Sequence, residues 1–196
     1  FSLGYSAFFK NGKAFMWHDG YIQHYPALIY IGKYLRKIFT NFMAGDFSIP
    51  MFDFNLGMGQ NIIAMLNLFD GFGDPLLILS ALTPVRYSEA LYNALVVVRM
   101  YLAGLGFSWY CFYMKKPGLH VITGALIYVF CGYALYSGVR HPSFITPMIY
   151  FPILLIGIDK IINGQKPYLF IITVCIAAVN GFYFLYVATN RSHLQQ

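Results

Sequence analysis

The chain has 196 residues, of which 59% are hydrophobic and only 10% charged, and its mean hydropathy is +0.59. Soluble domains usually carry about 25% charged residues, so the composition excludes an ordinary water-soluble domain and points to a bilayer. The net charge of +6 comes from basic residues that recur at the ends of apolar stretches; it forms no basic patch with a binding module, so nucleic acid is not an expected partner.

The first residue is Phe1, not methionine, and residues 1–9 lack the basic start of a signal peptide. They read as the last turns of a hydrophobic helix, and the chain as an N-terminal fragment of a longer protein. Lys10-Asn11-Gly12-Lys13 ends that piece with a polar, turn-prone segment. Trp17-His18-Asp19-Gly20-Tyr21-Ile22-Gln23-His24-Tyr25-Pro26 then concentrates polar and ionisable groups beside apolar sequence. Asp19 is its carboxylate, a candidate general base whose bland reading is the cap of a turn or helix. His18 and His24 could join it around a divalent cation, because imidazole and carboxylate both ligate metals. No cofactor is otherwise indicated. Gln23 and Tyr25 either orient Asp19 and contact a ligand or satisfy loop backbone.

Pro26 suits the first turn of a helix and would break its interior, so a helix is expected to start there. Leu28, Ile31, Leu35, Ile38 and Phe42 recur at intervals of three and four, with Lys33, Arg36, Lys37, Thr40 and Asn41 on the other side. That spacing predicts an amphipathic helix with a basic face.

Residues 41–74 are too punctuated by glycine and proline for a span and too apolar for a disordered linker, so they read as a loop folded against the membrane. Gly57-Met58-Gly59 lacks the third glycine of a dinucleotide fingerprint. Asn55 and these glycines either let backbone approach a ligand or supply positive φ. Residues 76–82 are too short to cross a bilayer and read as an interfacial or re-entrant helix.

Four complete spans are expected at 88–114, 119–138, 144–162 and 168–188, each near the ~20 residues a helix needs. Arg99 lies deep in the first, where a charge needs a partner or water. Asn180 and Tyr183 lie in the last and read as interhelical hydrogen-bonding groups. Cys111, Cys131 and Cys175 sit singly in spans as packing residues, without metal-site spacing. Lys115, Lys116, Lys160 and Lys166 favour a cytoplasmic side for the first and third connections, which places residues 10–87 outside. The expected fold is an all-α polytopic integral membrane helical bundle. It forms one unit over 1–196, with a large external loop containing interfacial helices and four membrane helices within 88–188.

Asp19-Gly20-x-x-Gln23-x-Tyr25-Pro26, Phe54-Asn55-Leu56-Gly57-Met58-Gly59, His141-Pro142-Ser143-Phe144 leading to Pro152 through Lys160, and Asn180-Gly181-Phe182-Tyr183 together resemble the YfhO-like bacterial multi-pass membrane proteins. These are placed in the GT-C superfamily of membrane glycosyltransferases. The resemblance covers most of the chain, although the family pattern is longer. It implies a GT-C-like fold and transfer of a sugar from a polyprenyl-phosphate carrier to an extracytoplasmic acceptor, such as a teichoic-acid-type polymer of the cell envelope. It also implies an acidic residue in the first external loop, a position held by Asp19.

The chemistry requires a base for the acceptor hydroxyl and cations for the phosphate. Asp19 is the expected catalytic residue. His18, Gln23, Tyr25, Asn55, Arg86, Arg99, Arg140 and His141 are the expected substrate contacts. Two readings from other classes stand beside this one: a transporter or flippase whose path is lined by Arg99 and Asn180, and a non-catalytic membrane scaffold.

Overall fold

The computed structural model describes residues 16–69, 74–116 and 118–180. The expected N-terminal hydrophobic piece and the last part of the fourth span, with Tyr183, lie outside them. By its contacts the chain divides into two compact units, with the boundary between Leu95 and Val96.

In the unit up to Leu95, a wide turn of π type, Gly20–His24, leads into helix α1, Tyr25–Met43. Pro26 falls in the first turn, where its missing N–H costs no intrahelical bond, as its position in the sequence predicts. Ala27, Leu28, Ile31, Gly32 and Tyr34 are buried. The apolar face does not run on as expected: Phe42 is 56% exposed and meets Phe47 edge-to-face at 4.6 Å.

The buried face is set by close approach at Gly32, where an added Cβ would lie 2.6 Å from the Ser80 carbonyl oxygen. The partner there is a 3₁₀ turn, Pro75–Ile78, continued by the short helix α3, Leu79–Leu82. Asp74 starts it: the carboxylate is 1% exposed and its Oδ1 accepts from the Leu76 amide at 2.9 Å. The expected basic face of α1 contributes to the same contact. Arg36 Nη1 donates to the carbonyls of Ser80, Ala81 and Thr83 at 3.1, 3.3 and 2.8 Å, satisfying the C-terminal oxygens that a helix leaves open.

Between α1 and α3 the chain forms a small antiparallel hairpin, β1 (Phe52–Asp53) with β2 (Gln60–Asn61), followed by α2 (Ile62–Phe69). Phe52 stands opposite Asn61 and Asp53 opposite Gln60. Gly57 and Gly59 take φ of +59° and +98°, so their structural reading, positive φ in a tight turn, applies.

The second unit, from Val96 onward, contains most of α4 (Ser88–Tyr113), α5 (Gly118–Val129), α6 (Gly132–Arg140), α7 (Thr146–Ile162) and α8 (Tyr168–Asn180). Ala103, Val129, Ala134, Ile145 and Met148 form its core. Small residues bring backbones together: an added Cβ would lie 2.6 Å from the Ile149 oxygen at Gly106 and 2.9 Å from the Phe170 Cα at Gly157.

Helices Val85–Tyr113 and Pro142–Ile162 are long and apolar enough to cross a membrane. The expected span over 119–138 is instead a pair of helices, α5 and α6, bent by 47°. Cys131 causes the break by adopting an extended backbone, φ −65° and ψ 157°. Counting the bent pair as one, the described residues hold up to three candidate spans, with α8 a shorter apolar helix. Trp109, Ile122, Ile127, Phe130 and Ile172 are exposed on this unit, an apolar surface suited to contact with lipid.

Candidate active site

Asp19 stands at the entrance to the Gly20–His24 turn, and its side chain makes no capping bond to that turn. His18 precedes it with φ +51°, a left-handed backbone uncommon outside glycine, which costs about 1 kcal/mol or more. The His18 carbonyl accepts from the amides of Tyr21 and Ile22, both at 3.0 Å, and Gly20 N donates to Trp17 O at 3.1 Å. These bonds hold the backbone on either side of Asp19. Strained residues and π-type turns both gather at functional sites, and here they occur side by side.

His24 is buried at 4% exposure. Among the described residues no three His, Cys, Asp or Glu side chains group as a cation site, so the sequence-level grouping of His18, Asp19 and His24 is not assembled here. Tyr25 packs edge-to-face on Tyr92 at 6.1 Å. Burial, then the negative charge of Glu89, raises its hydroxyl pKa, so Tyr25 stays a neutral donor.

One turn further on, Gln23 lines a pocket of about 280 Å³ with Ile22, Pro26, Ala27, Tyr30, Leu56 and Met65. Helix α1 supplies one wall and the hairpin the other. Two bonds hold the hairpin segment there: Tyr30 OH donates to Asp53 Oδ2 at 2.6 Å, and Tyr34 OH donates to Pro50 O at 2.7 Å. Asn55, expected to touch substrate, donates its amide (2.9 Å) and its Nδ2 (3.0 Å) to Asp53 Oδ1.

The Tyr30 hydroxyl, foremost, and then the Asn55 amide lower the Asp53 pKa, with the Asn55 side chain and the charge of Lys37 adding to the effect. Tyr30 is pushed the other way, by burial first and then by Asp53. The pair is an ionised carboxylate and a neutral phenol in a fixed geometry. Sequence reasoning missed both. The Asp-x-Asn spacing of a side-chain-closed turn was the available signal for Asp53; nothing local marked Tyr30.

Arg86 belongs to the same unit, in the exposed turn Val85–Tyr87, where its guanidinium lies 4.6 Å from the Tyr87 ring. The remaining expected contacts belong to the second unit. Arg99 is 3% exposed, and its Nε donates to Thr146 Oγ1 at 3.2 Å, the inward partner its depth required. Arg140 ends α6 hydrogen-bonded to the Tyr136 hydroxyl, and His141 stacks on Phe144 at 4.8 Å. Asn180 is buried, with no partner for its Nδ2 among the described residues.

With almost no strand among the described residues, apolar helices of bilayer length and small-residue contacts, this is an all-α membrane protein. The family model for the bacterial membrane protein YfhO matches residues 3–189. The chain belongs to that family. No curated protein and no solved structure matches it.

Proposed function

We propose that the protein is a membrane glycosyltransferase that moves a sugar from a polyprenyl-phosphate carrier to an extracytoplasmic cell-envelope acceptor, such as a teichoic-acid-type polymer. The observation that carries this reading is the placement of Asp19, half-buried at the entrance to the π-type turn and directly after the left-handed His18. Asp19 takes the proton of the acceptor hydroxyl as its oxygen attacks the sugar's anomeric carbon. The bond from that carbon to the carrier phosphate breaks, and polyprenyl phosphate leaves with the electron pair. Arg86, in the same unit, is a cation suited to the leaving phosphate. The pocket beside Gln23, with Tyr30 held neutral and oriented by Asp53, offers amide and hydroxyl groups to a sugar against apolar walls.

Asp19→Asn keeps the shape of the side chain and removes the base. Sugar transfer from a polyprenyl-phosphate donor is expected to fall by about 10²- to 10⁴-fold, with thermal stability unchanged on the same preparation. Transfer at the wild-type rate would remove Asp19 from the chemistry. Solute movement without sugar transfer in the wild type would support the transporter class instead.

A further inference from the structure

Helix α7 ends at Ile162, the last residue of a stretch long enough to cross the hydrocarbon, so the chain that follows lies where apolar core gives way to headgroups. There a cavity of about 580 Å³ is lined by Lys160, Gly164, Gln165, Lys166, Tyr168 and Leu169. Gly164, at φ +69°, reverses the chain. Backbone bonds from Asn163 N to Asp159 O, from Gly164 N to Ile161 O and from Gln165 N to Lys160 O close the helix end without using either lysine amine.

Lys160 Nζ lies 6.0 Å from the Tyr113 ring centroid, and Lys166 Nζ lies 5.9 Å from that of Tyr168. Aromatic faces hold an ammonium in place without neutralising it. The neighbouring acid, Asp159, accepts from Tyr113 OH at 2.7 Å and from Asn163 Nδ2 at 3.0 Å, and it does not line the cavity. Helix α8 begins at Tyr168, so the positive end of its dipole meets the same turn.

We infer that this turn binds the phosphate of an anionic phospholipid headgroup. Two positioned ammonium groups and the Gln165 amide suit phosphate oxygens, while Tyr168 and Leu169 give an apolar wall for the start of the lipid. The abundant phosphate at that depth is a headgroup, and basic pockets at the ends of membrane helices recognise such groups.

The test measures retention of phosphatidylglycerol against phosphatidylcholine by the full chain in neutral-detergent mixed micelles. K160Q/K166Q is expected to weaken phosphatidylglycerol binding about ten- to thirtyfold. K160R/K166R, which keeps the charge, is expected to retain it, separating lost charge from lost fold. The control K115Q/K116Q removes as much charge at the neighbouring turn and is expected to leave binding unchanged. Inorganic phosphate that displaces the lipid at millimolar concentration would identify free phosphate as a ligand of the same site; failure to displace it identifies the headgroup. Wild-type binding by K160Q/K166Q, an equal loss in K115Q/K116Q, or equal retention of both lipids would overturn the inference.

Discussion

Replacing Arg36 by Met keeps most of the apolar stem and removes the guanidinium that ties α1 to α3. Its Nη1 carries two hydrogens and lies within reach of three carbonyls, at 2.8, 3.1 and 3.3 Å, so the contact counts as about two shared charge-assisted bonds. Such bonds contribute about 1.5–3 kcal/mol each when buried. Arg36 is only half-buried, which puts the pair at about 2–4 kcal/mol of docking free energy for residues 75–82. The local opening equilibrium should then rise about 30- to 1,000-fold.

Ser80 reports that opening, since it is 5% exposed and covered by α1. In a background with Cys111, Cys131 and Cys175 changed to Ser, Ser80→Cys should react slowly with a thiol reagent, and Arg36→Met should speed the reaction by that factor. Arg36→Lys should fall between, because one ammonium cannot span three acceptors as a guanidinium does. Equal labelling rates with and without Arg36→Met would show that the carbonyls are satisfied by other groups and that the clamp contributes nothing.

The close contacts and the Tyr30–Asp53 pair yield two further expectations. Gly106→Ala should lower the unfolding midpoint in detergent, at a cost of about 1–3 kcal/mol, because its Cβ would meet the Ile149 carbonyl oxygen at 2.6 Å and neither helix backbone can yield cheaply; an unchanged midpoint would refute that packing. Tyr30, followed by difference titration against Tyr30→Phe, should ionise above the ordinary tyrosine value of 10.0, and Asp53→Asn should bring it part of the way back. The raised phenol makes the hairpin's attachment secure below pH 10 and weaker as pH rises further, while the lowered carboxyl makes it secure above the ordinary 3.8 and weaker as pH falls below it. A Tyr30 titration indifferent to Asp53→Asn would break the link between the two.

Local signals in the sequence located much of this architecture. Pro26 marked the start of α1 because a first turn leaves unused the amide hydrogen that proline lacks. The glycines at 57 and 59 announced a turn, their φ values being open to few other residues. Periodicity put Arg36 on the polar side of α1, but it separates apolar from charged residues without showing that a charged side chain has carbonyls to satisfy. The Tyr30–Asp53 bond joins residues 23 positions apart, a separation that no helical or strand period encodes. The bend at Cys131 escaped for a related reason: hydropathy measures how apolar 119–138 is, not whether its backbone stays helical throughout.

That bend bears on the order in which the protein is assembled. At 1.5 Å per residue, the 12 residues of α5 and the 9 of α6 each fall well short of the ~30 Å hydrocarbon core, so neither half can be inserted as a membrane segment by itself. The two are pinned on either side of the break by residues that come later in the chain: Tyr128 OH donates to Met148 O at 3.0 Å, and Tyr133 OH donates to Phe144 O at 3.1 Å. If the pair crosses the bilayer as one span, it enters before its acceptors exist, and the kink then belongs to the later stage in which inserted helices associate. Peptide groups freed at such a break are tolerable in lipid only once neighbouring protein covers them, and in such a span the segment from Phe144 to Met148, which carries both acceptors, is what would let α5 and α6 part.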